Sequence, residues 1–260
     1  MKNEFIIVIP ARMDSNRLPG KMLLDVAGLP LIVRTAQAAM LSEAKRVIIA
    51  TDHQEILAAC HQHQLEAIMT SALHQSGSDR LCEVVTLLQL ADDEIIINVQ
   101  GDEPLINPQL INQLAEFIYQ NATECATIAH PISSLDDIFN PNIVKTVLNH
   151  KSCALYFSRA PIPYYRDGYA IDAELKARQS VLPPQLEVLR HIGIYAYKVG
   201  FLKLYHQLPH APLEQVEALE QLRILYNGYQ IGVMHSPETP APGVDTLDDL
   251  LRVREIINSR

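Results

Sequence analysis

Four apolar runs set the strongest limit on what this chain can become: FIIVI (5–9), RVIIAT (46–51), EIIINV (94–99) and CATIAHPI (125–132). The first three are almost unbroken Ile and Val with little apolar–polar alternation, and strands of that kind are buried on both faces. Between the runs lie segments with helical apolar spacing: LIVRTAQAAMLSE after Pro30, a segment beginning HQEILAAC, SDRLCEVVTLLQL, and PQLINQLAEFIYQ from Pro108. Strand and helix in strict alternation predict an α/β fold, a mainly parallel sheet covered by helices. Ligands of such sheets bind beyond the carboxyl ends of the strands.

The second half is less regular. IVKTVL and HIGIYAYKV read as strands, the latter with alternation, while PIPYYRDG and the prolines at 183 and 184 mark loops. PLEQVEALEQLRILYNG, with Pro212 near its start and Gly228 after its end, predicts one punctuated helix. A final helix is expected through LDDLLRVREII. No repeat, low-complexity stretch or linker interrupts the 260 residues, so one α/β domain is expected over 1–260.

Nearly half the residues, 48%, are hydrophobic, enough for one sizeable core. The formal net charge of -9 argues against duplex nucleic acid or an anionic membrane as partner, since both favour an excess of clustered Lys and Arg. The apolar run before Pro10 is too short for a signal peptide or a membrane span, and no later run is long enough either. Cys60, Cys82, Cys125 and Cys153 lie far apart without C-x-x-C spacing, which suggests neither a disulfide framework nor a zinc site. A cytoplasmic protein is expected. His61 and His63, two apart on a predicted helix, point to different faces and read as solvated.

Within this acidic chain the stretch IPARMDSNRLPGKML (9–23) sets Arg12, Arg17 and Lys21 against a single acid, Asp14, directly after the first strand. Gly20 gives backbone freedom and Pro19 stiffness, so the loop could cradle phosphate oxygens. It matches neither the Walker pattern nor G-x-G-x-x-G. On its own a solvated basic loop fits equally well.

Three further stretches could carry chemistry. In NVQGDEP (98–104), Asp102 leaves a buried strand just after a glycine and could hold a divalent cation, with Gln100 a second polar group at the same strand end; an ordinary turn has the same composition. In GVDTLDDL (243–250), Thr246 and Asp249 resemble a capping box, which leaves Asp245 without a structural task and able to join Asp102 if the chain end folds back. On the helix from Leu213, Glu220 lies between Val216 and Ile224 on an apolar stripe, where either an ion pair with Arg223 or a ligand would compensate it. Gln221 is expected nearer the helix edge. Arg159 in YFSRAPIP and His191 in RHIGIYAY stand as isolated polar residues, each structural when read alone.

Nine stretches, IPAR...SNRLPGK, ATDH, HQSGSDR, NVQGDEP, NPNIVK, YFSRAPIP, RHIGIYAY, PLEQVEALEQLR and GVDTLDDL, occur in an order and spacing that closely resemble the 3-deoxy-manno-octulosonate cytidylyltransferase family. The resemblance implies a nucleotide-diphospho-sugar transferase-like fold, with residues about 140–200 contributing a dimerisation and sugar-binding subregion of a cytoplasmic homodimer. It implies an enzyme that uses CTP and magnesium to activate an eight-carbon sugar acid for lipopolysaccharide synthesis, releasing pyrophosphate. Carried over by motif, Arg12, Ser15, Arg17 and Lys21 would bind the nucleotide, Ser76 and Arg80 would lie beside it, and Gln100 would lie between nucleotide and sugar. Asp102 and Asp245 would hold magnesium and, with Arg12 and Lys21, form the catalytic group. Arg159, His191, Tyr195, Glu220 and Gln221 would form the sugar-acid pocket.

The chain departs from the family pattern at Asn16, where Thr or Ser is usual, at Leu29, where Lys is common, and over residues 164–187. The 8-amino analogue of the same sugar, a nine-carbon sialic acid, and a catalytically silent nucleotide-binding scaffold stand as alternative readings.

Overall fold

The structure, a computed structural model, describes residues 4–15, 17–74, 76–169, 181–182, 185–237 and 241–259; Asn16 and the prolines at 183 and 184 lie outside the described residues. In chain order the elements are β1 (Phe5–Ala11), β2 (Asp25–Val26), β3 (Leu29–Pro30), α1 (Leu31–Ala39), β4 (Arg46–Thr51), α2 (Gln54–Gln62), β5 (Glu66–Met69), α3 (Gly77–Leu87), β6 (Ile95–Asn98) and α4 (Pro108–Gln120). There follow β7 (Cys125–Pro131), α5 (Leu135–Phe139), β8 (Lys145–Leu148), β9 (Ala154–Ser158), β10 (Leu189–Lys198), α6 (Val199–Tyr205), α7 (Pro212–Glu217), α8 (Leu222–Tyr226), β11 (Gly232–His235) and α9 (Leu247–Asn258).

They fall into two compact units. The first comprises Met1–Cys125, Gly193–Gln207 and Pro240–Arg260, the second Ala126–Ile192 and Leu208–Thr239. In the first unit β6, β1, β4 and β5 run parallel, and Tyr195–Lys198 of β10 pairs antiparallel with β6. The unbroken Ile and Val of β1 are buried along its whole length because it is an inner strand with helices to cover it. Register pairs Ala11 with Thr51 and Val8 with Asn98, so β1, β4 and β6 release their next residues at one edge of the sheet.

Helix α4 illustrates how the covering layer is encoded. Asn107 caps it by accepting from the Gln109 N–H at 2.9 Å, Pro108 opens its first turn, and Leu110, Ile111, Leu114, Ala115 and Ile118 form its buried face. Each large aliphatic residue buried there contributes about 1.5–3 kcal/mol.

In the second unit β7 pairs parallel with β11, β8 pairs antiparallel with β9, and Leu189 and Arg190 of β10 pair with β8. A small core of Ile132, Ile138, Ile143, Tyr169 and Val188 forms there, with Phe139, Tyr164 and Tyr165 packed edge-on to the Tyr169 ring.

Two sequence expectations change. PLEQVEALEQLRILYNG is two short helices, α7 and α8, separated at Ala218, which takes the left-handed conformation at φ 50° and ψ 51°. The strand β5, EAIM, adds an element that the sequence does not set apart, because its apolar run is only three residues long and the strand lies at the sheet edge with exposed ends.

Candidate active site

The basic stretch after β1 is held in shape by its neighbours at the sheet edge. Asp52, leaving β4, accepts the Met13 N–H at 3.4 Å, and Ser15 Oγ accepts the Leu18 N–H at 3.4 Å. Gly20 sits at φ 64°, a region that favours glycine, and the 3-10 turn Lys21–Leu23 that follows carries the Lys21 side chain inward until the residue is 9% exposed. At the end of β6 a side chain on Gly101 would come within 2.9 Å of the Pro10 carbonyl and 3.0 Å of Met22 Sδ, so only glycine lets this loop lie against β1. Thr35 of α1 fixes the same glycine by donating to its carbonyl at 2.8 Å.

The chain end does fold back onto this edge. The Val244 N–H donates to the Asp102 carbonyl at 2.8 Å, and Val244 packs with Val26, Leu31, Leu250 and Val253. Thr246 and Asp249 form the expected capping box that starts α9, and Asp245 is left projecting beside Asp102. Between the two acids lies the Lys21 ammonium: Nζ is 2.5 Å from Asp102 Oδ2, 3.1 Å from Asp245 Oδ1 and 3.2 Å from the Val244 carbonyl. Arg17 reaches Asp245 Oδ2 at 2.9 Å from the solvent side. Burial alone would depress the Lys21 ammonium, but Asp102 and then Asp245 more than offset it and hold its pKa above the ordinary lysine value.

These groups line a cavity of about 380 Å³ with three cations, Arg12, Arg17 and Lys21, and three carboxylates, Asp14, Asp102 and Asp245. Ser15, Ser76, Gly77, Gln100 and Gly101 also line it. Ser76 caps α3 by accepting the Asp79 N–H at 3.1 Å, which turns the helix N-terminus, favourable to anions, toward the cavity. Gln100 donates to the Gly193 carbonyl at 3.4 Å.

Arg80 does not line the cavity. Its guanidinium is fully buried, paired with Asp52 Oδ2 at 2.7 Å and donating to Thr70 Oγ1, so it reaches the loop only through Asp52 and the Met13 N–H. The sequence reading missed Asp52 as a functional residue, although ATDH contains it.

The residues expected to hold a sugar acid lie mostly in the second unit. His191 Nε2 is 3.0 Å from Thr127 Oγ1, and that hydroxyl donates its one hydrogen to the Ile192 carbonyl at 3.1 Å. With that hydrogen spent on Ile192, the hydroxyl oxygen is set to accept from an imidazole protonated on Nε2. Burial pushes the His191 pKa down to about 3, and the ring stays neutral.

Arg159 donates to three backbone carbonyls, from Nε to Glu217 at 2.7 Å, from Nη1 to Pro141 at 3.0 Å and from Nη2 to Ala218 at 3.4 Å. The break between α7 and α8 removes the apolar stripe expected around Glu220, and Val216 is 85% exposed. The deeply buried acid of this segment is Glu214, which holds Arg223 through both carboxylate oxygens at 2.8 and 2.9 Å. Gln221, expected near a helix edge, is 5% exposed, and its Nε2 has no protein hydrogen-bond acceptor among the described residues. Tyr195 lies in the first unit, stacked on Tyr197 and opposite Asn98.

A family model described as cytidylyltransferase matches residues 6–231. The chain is 50% identical over 256 residues to the 3-deoxy-manno-octulosonate cytidylyltransferase of Neisseria gonorrhoeae (strain NCCP11945), covering 98% of this chain and 99% of that one. It is 53% identical over 250 residues to the protein of the same name from Herminiimonas arsenicoxydans, covering 96% and 97%. A solved structure of CMP:2-keto-3-deoxy-manno-octonic acid synthetase complexed with CTP superposes with a TM-score of 0.86 at 40% identity, over 98% of this chain and 99% of that one. A cytidylyltransferase from Leptospira borgpetersenii shares the fold at a TM-score of 0.57 and 12% identity, covering 100% of this chain and 95% of that one. With full-length relatives at this identity and a basic loop facing paired acids, the chain belongs to the 3-deoxy-manno-octulosonate cytidylyltransferase family.

Proposed function

We propose that this protein transfers CMP from CTP to the anomeric hydroxyl of 3-deoxy-D-manno-octulosonate and releases pyrophosphate. The observation that carries the reading is the Lys21 ammonium held between Asp102 and Asp245 on the floor of a cavity that Arg12 and Arg17 also line. A triphosphate needs that combination. The cations meet its oxygens, and paired carboxylates serve it only through a metal, since each like-charge pair at about 4 Å and an effective dielectric of about 20 costs about 4 kcal/mol.

The residues fit magnesium. Two acids from distant segments already converge on one cation, and the described residues contain no cluster of three or more His, Cys, Asp or Glu that could hold a metal unaided. Magnesium takes one or two carboxylates and completes its shell with substrate phosphates and water. Asp102 and Asp245 would hold it, and it would supply charge neutralisation at the phosphates. Arg12, Arg17 and Lys21 then fix the β- and γ-phosphates, with Ser15 and the α3 N-terminus at Ser76 and Gly77 as neutral donors. Displacement at the α-phosphate is in line, so the protein's contribution is positioning and charge stabilisation.

For the sugar acid, Gln221 offers a buried amide whose N–H capacity the described protein does not use, and His191, kept neutral by burial, is assigned to the same ligand by motif. Gln100, Tyr195, Arg159 and Glu220 are assigned to the same ligand by motif. The protein is further read as a cytoplasmic homodimer serving lipopolysaccharide synthesis. Exposed Leu155, Leu186, Leu213 and Val216 in the second unit support self-association, and no described helix is long and apolar enough to cross a membrane.

The test is pyrophosphate release from CTP and magnesium with a panel of sugar acids that includes the 8-amino analogue and a nine-carbon sialic acid. Release should be fastest with 3-deoxy-D-manno-octulosonate, and no release with any acid overturns the transferase reading. Light scattering tests the dimer.

A further inference from the structure

The break between α7 and α8 carries Glu220 and Gln221, and the residues that make it form a closed ring of contacts. In an unbroken helix the carbonyls of Glu217 and Ala218 would accept from N–H groups four residues later. Here Arg159 Nε and Nη2 occupy them, at 2.7 and 3.4 Å, so the chain can turn at Ala218 without abandoning those acceptors. After the turn the N–H groups of Arg223 and Ile224 bond the carbonyls of Glu220 and Gln221 at 3.1 and 3.2 Å, starting the next helix.

The Glu217 side chain in turn fixes the segment that bears Arg159. Its Oε1 accepts the Ser158 hydroxyl at 2.6 Å and its Oε2 accepts the Arg159 backbone N–H at 2.9 Å. Ser158 Oγ also accepts the Ala160 N–H at 3.0 Å, and the buried Lys145 ammonium donates to the Arg159 carbonyl at 2.6 Å. One glutamate holds the backbone from which an arginine projects, and that arginine holds the turn that follows the glutamate.

We propose that Glu217 is a positioning residue for sugar-acid recognition: it anchors Ser158 and Arg159 and, through Arg159, sets the left-handed turn that presents Glu220 and Gln221. This rests on the reading of Glu220 and Gln221 as sugar-acid residues. Both hydrogen-bond partners of the carboxylate are neutral donors, and its charge also favours the buried Lys145 ammonium against burial and the nearby Arg159 guanidinium. A glutamine keeps part of this role: its oxygen can still accept the Arg159 N–H, but its amide then faces Ser158 Oγ and the Ser158 hydroxyl hydrogen loses its acceptor.

The experiment measures KM for 3-deoxy-D-manno-octulosonate at saturating CTP, and KM for CTP at saturating sugar acid, in wild type, Glu217→Ala and Glu217→Gln. Glu217→Ala should raise the sugar-acid KM by about tenfold or more and leave the CTP KM within about twofold, while Glu217→Gln, which keeps the Arg159 N–H contact alone, falls between it and wild type. An unchanged sugar-acid KM in Glu217→Ala, equal rises in both KM values, or a glutamine variant as impaired as the alanine one overturns the inference. If Glu217→Ala does not fold, Ala218→Val carries the same test, since a β-branched residue resists the left-handed conformation while the Glu217 contacts remain. A raised sugar-acid KM alone supports the inference, and no change overturns it. Wild type that releases no pyrophosphate defeats the transferase reading instead, an outcome distinct from an active wild type matched by Glu217→Ala.

Discussion

Lys21 Nζ lies 2.5 Å from Asp102 Oδ2 while also contacting Asp245 at 3.1 Å, so the ammonium occupies the position that the functional reading gives to a metal ion. On that reading metal and ammonium would compete for the two acids, and Lys21 would have to turn toward the phosphates of CTP. Replacing Lys21 with Met should tighten manganese binding to the CTP-free protein, read by electron paramagnetic resonance. The same change should lower turnover by roughly 100-fold or more, because a charged donor to the triphosphate is lost. Unchanged manganese affinity would show that the ammonium and the metal do not share a site.

Asp102→Asn and Asp245→Asn keep the size and much of the hydrogen bonding of each side chain but halve the negative charge around Lys21. Each should reduce turnover by roughly 10²–10³-fold. The fold should survive, since Val244 stays bonded to the Asp102 backbone carbonyl and packed in its apolar cluster. Circular dichroism and a pyrophosphate assay on the same samples check both halves. Normal activity in either variant removes that residue from the metal site.

Asp52 is the only carboxylate bonded to the fully buried Arg80 among the described contacts, and it also takes the Met13 N–H of the basic loop. Asp52→Ala leaves the buried guanidinium without its bonded counter-ion, Glu83 being a further acid that acts on it, a change that costs up to about 3–5 kcal/mol. Urea unfolding should show the loss, and CTP should bind more weakly because the loop is no longer held. A loss under about 1 kcal/mol would mean that Arg80 finds other compensation.

What the sequence disclosed follows from how local each cause is. The inner strands were legible because burial on both faces leaves an uninterrupted Ile and Val run, and Asp245 stood out because the capping box accounted for Thr246 and Asp249 but not for it. The basic loop was legible only as an anomaly of charge. Its inward-turned lysine depends on the Val244 N–H bonding the Asp102 carbonyl, a contact between distant segments that no spacing reveals. The break at Ala218 was hidden for the same reason. Leu213, Val216 and Leu219 keep helical spacing across it, while the donors that stabilise it belong to Arg159, 58 residues from Glu217. Arg80 was legible as a residue of the region but not as a buried one, since it lies on α3 and its partner Asp52 is 28 residues away, just after β4.

The neutral His191 sets a pH dependence whose sign can be worked out. Burial lowers its pKa in the folded protein to about 3, against 6.5 for the ordinary residue. Between those values the unfolded chain binds a proton that the folded one refuses, so stability rises with pH across that window. The contribution is complete above pH 6.5 and is lost progressively as the pH falls toward 3. Glu83, Glu94 and Glu214, whose pKa values are held below the ordinary one of 4.5, add a further loss only at lower pH. Urea midpoints at several pH values between 7.5 and 5 should therefore fall more steeply in wild type than in His191→Gln, which cannot take up the proton. The glutamine amide can still donate to Thr127 Oγ1, so the local contact survives. Equal slopes in the two proteins would mean that His191 accepts a proton as readily when folded as when unfolded.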